Sequence, residues 1–266
     1  MMSAKTKRSL LASPYIFWII LFTIVPFIML LAYAFFNDSG ALTGEYIAAI
    51  AEPVHLKALW LSIRLSILCT LICLVLSYPL ALCMRSLNLG RRLIQTAIVI
   101  VPMWMNFVLR IMSWQLILSK NGILNTFLAL LGLPPQDLGN SVYAIIIGMV
   151  YDYLPFMLLP IYNSVMTVGN DVLEAARDLG AEPLKVLVKI MLPLTMPGIV
   201  SGIIMVFTPA LTTFAISDML GGGKVMLIGN IIEQEFLSTM NWHLGSGLSL
   251  ILMIFVLLGI LLDPGE

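Results

Sequence analysis

Asp152 is an ionisable residue inside a long apolar stretch, and aromatic residues accompany it. Tyr151 and Tyr153 flank it in the sequence, and Trp104 belongs to an earlier apolar stretch. A carboxylate inside a membrane costs about 2.5 to 3.5 kcal/mol on insertion scales, so it normally faces a cavity or a partner group. Carboxylates and aromatic faces are the groups that bind an alkylammonium ion. These residue types therefore predict a path for a cationic solute.

An ion pair between Asp152 and Arg110 is the structural alternative. With a rise of about 1.5 Å per residue, Asp152 lies roughly 16 Å below the outer end of its predicted helix, and Arg110 lies about 12 Å below the outer end of its own. An arginine side chain spans such a difference in depth, and charged pairs within membranes are common. The sequence leaves both roles of Asp152 open.

A second polar region lies in and after the fifth apolar stretch. Pro197 and Pro209 remove backbone donors there, and the hydroxyls of Thr208 and Thr212 surround the second interruption. Such interruptions occur where a helix lines a polar path or forms a hinge. Thr208 and Thr212 are therefore candidates for the same path, together with Asp218 from the acidic outer side that follows.

The segment between the fourth and fifth apolar stretches is short and polar, with a characteristic spacing. Its pattern positions are Glu174, Ala175, Ala176, Gly180, Ile190, Leu192 and Pro193. Asp171 and Glu174 form a capping-box pattern, which predicts a helix over 171–179, and Gly180 suits a left-handed residue just past its end. Pro183 suits the first turn of a second helix, and Pro193 stops or kinks that helix.

Small side chains on the first of these helices predict a docking surface. Ala175 and Ala176 leave one side of the helix thin, so that it fits into a groove of another protein, while Val172 and Leu179 provide apolar contacts. The alternative is an ordinary amphipathic connector between membrane spans. The spacing of the whole pattern favours the docking motif over the connector.

Signatures of common enzymes are absent from the sequence. It contains neither the H-E-x-x-H pattern of zinc hydrolases nor the G-x-S-x-G nucleophile elbow. The run from Gly221 to Lys224 approaches a phosphate-binding loop, but Val225 stands where that loop requires Ser or Thr, and Asp218 stands at its first glycine position. The sequence therefore predicts a chain that is not an enzyme and holds no cofactor or metal. If transport is active, another polypeptide must bind the ATP.

Composition places the rest of the chain in a lipid bilayer. Hydrophobic residues make up 60% and charged residues 11% of the sequence, and the mean hydropathy is +1.03. Six apolar stretches are long enough to cross a hydrocarbon core of about 30 Å as helices. They are Tyr15–Phe36, Ala58–Met84, Leu93–Leu118, Ser141–Val165, Leu194–Ser217 and Leu244–Leu262.

The distribution of basic residues predicts the orientation of these spans. Nine of them fall on one side, namely Lys5, Lys7, Arg8, Arg85, Arg91, Arg92, Arg177, Lys185 and Lys189. The opposite side holds Lys57, Lys120 and Lys224. Because loops rich in Lys and Arg stay in the cytoplasm, both termini and the polar segment are predicted to be cytoplasmic. The outer loops are acidic, which raises the local concentration of a cationic solute.

The spacing from Glu174 to Pro193 resembles the cytoplasmic EAA loop of membrane subunits of binding-protein-dependent ABC importers. Further stretches resemble the permeases of spermidine/putrescine ABC importers, at 154–157, 160–162, 192–198, 221–223, 228–230 and 241–242. The resemblance covers nearly the whole chain. It implies an all-α membrane protein of the type I importer permease fold, in which six transmembrane helices pack against a second, homologous permease around a central path.

This fold divides the chain into four predicted regions. Residues 1–14 form a cytoplasmic tail, and 15–57 form the first transmembrane helix and an outer loop. Residues 58–262 form a five-helix core that contains the coupling loop at 169–193, and 263–266 form a C-terminal tail.

The resemblance also implies the partners of the chain in a bacterial inner membrane. Two copies of an ATP-binding subunit carry the ATP and Mg and dock on the coupling loop. A solute-binding protein, periplasmic or lipid-anchored, delivers the polyamine, and nucleic acid is not among the expected partners. An importer for another small solute and a stand-alone secondary transporter are the alternatives, although a secondary transporter typically shows internal repeats.

Overall fold

The structure, a computed structural model, describes residues 13–87 and 89–261, without the side chains of residues 89, 92, 260 and 261. Residues 1–12 of the predicted tail at 1–14, with Lys5, Lys7 and Arg8, lie outside the described residues, as do Leu262 and the predicted tail at 263–266. Residues 13 and 14, predicted as part of the tail, already belong to the first helix. By backbone proximity the described chain forms two compact units. The smaller combines residues 13–56 with Ile231–Phe255, and the larger combines Lys57–Asn230 with residues 256–261.

The described chain is helical along most of its length, because long apolar segments in lipid must satisfy their backbone groups internally. In chain order the helices are α1 Ser13–Phe35, α2 Glu45–Ala48, α3 Pro53–Ser86, α4 Leu89–Ile100, α5 Phe107–Leu118, α6 Ile123–Leu130, α7 Val142–Thr167, α8 Asn170–Asp178, α9 Pro183–Leu194, α10 Met196–Thr212, α11 Ala215–Gly221, α12 Ile228–Leu237 and α13 Trp242–Leu261.

Four of these helices, α1, α3, α7 and α13, are long and apolar enough to cross a membrane on their own. Two further spans are bent. Leu93–Trp104 meets Phe107–Leu130 at 96°, and Pro183–Leu194 meets Met196–Thr212 at 67°. With each bent pair counted as one span, the described residues contain up to six, in agreement with the six predicted stretches.

The third predicted span is therefore not a straight helix over its whole length. Pro102 lies in a short 3-10 turn after α4, and the chain then becomes extended at Met105. Asn106 starts a new helix, since its side-chain oxygen accepts hydrogen bonds from the backbone of Val108 at 2.9 Å and Leu109 at 3.3 Å. Proline ends one helix and the asparagine cap begins the next, so the break is written into the local sequence.

In the larger unit, α7 is the central helix and packs against α5, α10 and α11. Glycines bring α10 close to it. A Cβ atom at Gly198 would lie 2.6 Å from the carbonyl oxygen of Pro160, and one at Gly202 would lie 2.8 Å from Sδ of Met157. Small residues that allow close backbone approach are a common basis of helix packing in membranes. This contact fixes the fourth span against the fifth.

In the smaller unit, the end of α1 and the start of α13 meet around His243. Its Nδ1 lies 2.9 Å from the carbonyl oxygen of Tyr33, and its Nε2 lies 3.0 Å from a carboxylate oxygen of Asp38. The ring of Tyr46 stacks on the imidazole with 5.0 Å between ring centroids. The histidine therefore ties the loop after α1 to the first turn of α13.

Candidate functional site

The predicted coupling segment forms two short helices, and the first, α8, starts one residue earlier than expected. Its N-cap is Gly169, and within the described part of the chain no side chain caps the helix. The predicted capping box of Asp171 and Glu174 is therefore wrong, because Asp171 already lies in the first turn. A carboxylate at that position still stabilises the helix through its favourable interaction with the helix dipole.

The end of α8 agrees with the predicted role of Gly180. Its φ is +76°, a left-handed conformation. The N–H of Gly180 donates to the carbonyl of Arg177 at 2.8 Å, and the N–H of Ala181 donates to that of Ala176 at 3.0 Å. This pair of hydrogen bonds is the Schellman closure of a helix C-terminus, in which glycine is strongly preferred. Gly180 therefore sets the direction in which the chain leaves α8.

The exposed surface of this segment is partly apolar. Ala176 is buried against the core of this chain, whereas Glu174 and Ala175 are exposed. Around them, large apolar side chains are exposed, to 88% at Leu179 and 69% at Leu184. Val172, predicted to provide an apolar contact, is 40% exposed. Large apolar groups at the tip of a polar loop form a surface suited to another protein.

The remaining pattern residues connect this surface to the fifth span. Ile190 and Leu192 are half-buried, and Pro193 is exposed. Pro193 has no N–H to bond the carbonyl of Lys189, and a π-turn, Leu187–Met191, runs through this part of α9. The 67° bend follows, as predicted from the proline. These residues position the loop and contribute little to its exposed apolar surface.

A cavity of about 560 Å³ lies between the end of α3, α8 and the start of α9. Its polar lining residues are Arg85, Ser86, Asn170, Glu174 and Arg177. Arg85 was predicted only as one of the basic residues that orient the chain. The structure instead places it against α7 and α8, a contact that no local pattern in the sequence indicates.

Inside the membrane-spanning part, Asp152 and Arg110 form the ion pair that the sequence left open as an alternative. Asp152 is 3% exposed, and the side chain of Arg110 is 11% exposed. Arg110 also donates through Nη1 to the carbonyl of Pro102 at 3.0 Å, and its guanidinium lies 5.9 Å from the centre of the Tyr151 ring. The arginine thus links the broken third span to the fourth and also bonds a carbonyl at the break.

Other predicted path residues lie at the interruption of the fifth span. The hydroxyl of Tyr153 donates to the carbonyl of Pro209 at 3.3 Å, and the hydroxyl of Thr212 donates to that of Thr208 at 3.1 Å. Tyr153 is buried and Thr212 is exposed. Tyr153 therefore holds the interruption from the fourth span, while Thr212 lies on the surface of the chain.

The structure does not bring the whole predicted set together. Asp152, Arg110 and Tyr151 form one cluster. Trp104 is 85% exposed at the break of the third span, and Asp218 is exposed on α11. Neither belongs to this cluster.

Sequence reasoning missed a polar network that holds the segment after the fifth span. The Asn230 side chain accepts a hydrogen bond from the hydroxyl of Ser217 at 2.6 Å and donates one to the carbonyl of Phe214 at 3.1 Å. The N–H of Ile228 donates to the hydroxyl oxygen of Ser62 at 2.9 Å. The one local signal for this network is an asparagine in the first turn of a helix. Nothing in the sequence indicates which distant residues bond to it. The network attaches the start of α12 to α11 and α3.

No group of three or more His, Cys, Asp or Glu residues that could hold a metal ion occurs in the described part of the chain.

Comparison with known proteins shows the family to which the sequence is similar. The sequence profile of the family described as "binding-protein-dependent transport system inner membrane component" matches residues 74–263. The spermidine/putrescine transport system permease protein PotB of Haemophilus influenzae is 38% identical, over 91% of this chain and 87% of that protein. PotB of Escherichia coli is also 38% identical, over 89% of both.

A solved structure has the same fold. It is a bacterial alginate ABC transporter in complex with an alginate pentasaccharide-bound periplasmic protein. The matched chain gives a TM-score of 0.82 at 19% identity, covering 97% of this chain and 93% of the other.

Proposed function

Because the chain belongs to the family of binding-protein-dependent transport system inner membrane components, we propose that it is a permease of an ATP-driven polyamine importer. With a second, homologous permease it forms the path for spermidine or putrescine through the bacterial inner membrane. Two ATP-binding subunits dock on the cytoplasmic side, and an external solute-binding protein delivers the substrate. Both termini of the chain are cytoplasmic.

The observation that carries the coupling role is the exposed surface around α8. Leu179 and Leu184 are large apolar residues at 88% and 69% exposure, on a loop between two membrane spans. The Schellman closure at Gly180 holds α8 in a defined position relative to α9. A rigid helix with an apolar tip is suited to a groove in a water-soluble partner. We assign that groove to the ATP-binding subunit.

The polyamine assignment rests on two spermidine/putrescine permeases that are 38% identical to this chain across about nine tenths of its length. The fold alone does not decide the substrate, since the structurally similar chain belongs to an alginate transporter. Acidic residues on the outer side, including Glu45, Glu52 and Asp218, fit a polycation because they raise its local concentration.

A second candidate is an importer of the same type for another small solute. The ion pair of Asp152 and Arg110 favours it, because the buried carboxylate that would have bound an ammonium group already has a cationic partner. The two candidates share the coupling surface and differ only in what the path accepts.

The test is uptake by proteoliposomes that contain the full importer: both permeases, the two ATP-binding subunits and the solute-binding protein. We expect uptake of labelled spermidine that requires ATP and every subunit. Liposomes with this chain alone serve as the control. Spermidine uptake by the chain alone, driven without ATP, would establish a secondary transporter. ATP-dependent uptake of another solute without competition from spermidine or putrescine would establish the second candidate.

A further inference from the structure

We propose that Arg85 is a positioning residue that transmits the movement of the coupling helix α8 to the second and fourth spans. The inference rests on the proposed function, in which α8 is the contact with the ATP-binding subunit. It concerns a residue outside the Glu174 to Pro193 pattern and outside the transport path.

The geometry of Arg85 joins three helices. It lies in the last turn of α3. Its guanidinium donates to the carbonyl of Val165 in the last turn of α7, to the carbonyl of Val168 at 2.7 Å, and to the side-chain oxygen of Asn170 at 2.9 Å. Val168 is the C-cap of α7, and Asn170 is the first residue of α8. One side chain therefore contacts the end of the fourth span and the start of the coupling helix.

Elementary helix chemistry explains why a cation is held there. The last carbonyls of a helix have no partner within the helix, and the C-terminus carries a partial negative charge. The last turn of α7, all of which is described, contains no basic residue of its own. Arg85 supplies the missing charge from a different helix. Both acceptor carbonyls belong to buried residues, with Val165 at 0% and Val168 at 7% exposure, where such hydrogen bonds contribute most.

This contact adds a connection that the chain itself does not make. Covalently, α8 continues from α7 through Val168 and Gly169 and leads to α10 through α9, so it is linked to the fourth and fifth spans. The second span is distant in sequence, and Arg85 hydrogen-bonds it to the first residue of α8. A push on α8 therefore moves α3 and α7 together, provided that the guanidinium keeps its three acceptors.

Arginine is required because its planar fork bonds several acceptors in fixed directions. Lysine carries the same charge but is a point donor on a flexible stem. Arg85→Lys therefore preserves the electrostatic contribution at the end of α7 and loosens the mechanical link. This difference separates a transmitting role from simple charge compensation.

The experiment compares the reconstituted importer with Arg85→Lys, Asn170→Ala and the control Arg64→Lys. Arg64 lies on the same helix, and its guanidinium is over the ring of Trp60 at 4.9 Å, away from α8. The measured quantity is ATP hydrolysed per spermidine imported. We expect Arg85→Lys to raise it by about tenfold or more, as fits the loss of charge-assisted hydrogen bonds. Asn170→Ala should raise it less, and Arg64→Lys should leave it unchanged.

A merely structural role gives a different result. If hydrolysis and uptake fall in parallel, so that the ratio stays at the wild-type value, the transmitting role is refuted. Should Arg85→Lys fail to assemble, Asn170→Ala decides. It removes a single exposed acceptor, and an unchanged ratio in that variant also overturns the proposal.

A readout without substrate separates this inference from the proposed function. The variant Thr212→Cys, combined with Cys83→Ser, places a thiol at an exposed position. Cys69 and Cys73 are fully buried and therefore protected from labelling. We expect ATP to change its maleimide labelling rate in the otherwise unaltered complex and in Arg64→Lys, and not in Arg85→Lys. Absence of ATP-dependent spermidine uptake in the wild type would refute the polyamine importer. An undiminished labelling response in Arg85→Lys would refute the role of Arg85.

Discussion

The pair of Asp152 and Arg110 gives the sharpest test of how this permease treats a buried charge. Asp152→Asn keeps the shape of the side chain and removes the charge, leaving Arg110 unpaired at 11% exposure. Breaking a buried pair in this way typically costs about 3 to 5 kcal/mol. Arg110 retains its hydrogen bond to Pro102 and its place over the Tyr151 ring, so we expect the lower end, about 3 kcal/mol.

That loss has a measurable size. For a chain of this length, about 3 kcal/mol corresponds to a fall in the melting temperature of about 6 to 12 °C. Melting of the detergent-solubilised complex measures the loss of stability, and spermidine uptake measures its effect on transport. Asp137→Asn, which removes a carboxylate from an exposed loop, is the control and should leave both unchanged.

The double variant Asp152→Asn with Arg110→Gln decides between the structural and the substrate role. If the pair is structural, removing both charges relieves the unpaired guanidinium, and we expect stability and uptake to recover together. If Asp152 instead binds the substrate, Asp152→Asn alone should leave the melting temperature within about 2 °C of wild type and reduce uptake. That outcome, with no recovery of uptake in the double variant, would refute the pairing argument.

Three further predictions concern the loop, the topology and the polar network. Gly180→Val places a β-branched residue at φ +76°, at a cost of about 1 to 2 kcal/mol. ATP hydrolysis should persist while uptake falls, and the uptake of Gly180→Asn should lie between those of the wild type and the valine variant. Wild-type uptake in the valine variant would contradict the role of Gly180. Cysteines near Lys185 and near Glu235, in a background without native cysteines, should react with impermeant reagents from the cytoplasm and from outside respectively; the reverse pattern would overturn the orientation. Asn230→Ala should lower the melting temperature by about 4 to 8 °C, because it leaves the Ser217 hydroxyl and the Phe214 carbonyl with one partner fewer; a shift below 1 °C would show that the network adds no stability.

Features that depend on neighbouring residues were predictable from the sequence. The apolar stretches follow from composition and length alone, since a bilayer accepts little else. Gly180 and Pro183 were placed correctly because the left-handed C′ position and the first helical turn each favour one residue type for a steric reason. Local rules also have limited resolution. Asn170, Asp171 and the preceding glycine are all acceptable at a helix start, and the capping box was assigned to the wrong one.

Features that depend on distant residues were not predictable. Arg85 contacts residues about 80 positions away, and Asn230 receives its hydrogen bond from a serine on another helix. Neither contact has a local signature. The break in the third span is a different case. Pro102 and Asn106 were both visible, but an uninterrupted apolar composition concealed the helix end between them.

Burial within this chain also changes which of the predicted residues are expected to line the path. A path between two homologous permeases is lined by side chains that each chain exposes, because the partner chain supplies the opposite wall. Asp152 and Tyr153 are buried inside this chain and bond to its own groups, so they hold the helices that form the wall. Asp218 and Thr212 are exposed. A carboxylate is costly against lipid, which places Asp218 against water, a partner or the substrate, whereas the Thr212 hydroxyl is already bonded within its own helix. Contact with a polyamine is therefore expected first at Asp218, and a variant such as Asp218→Asn tests the path more directly than any change at Asp152.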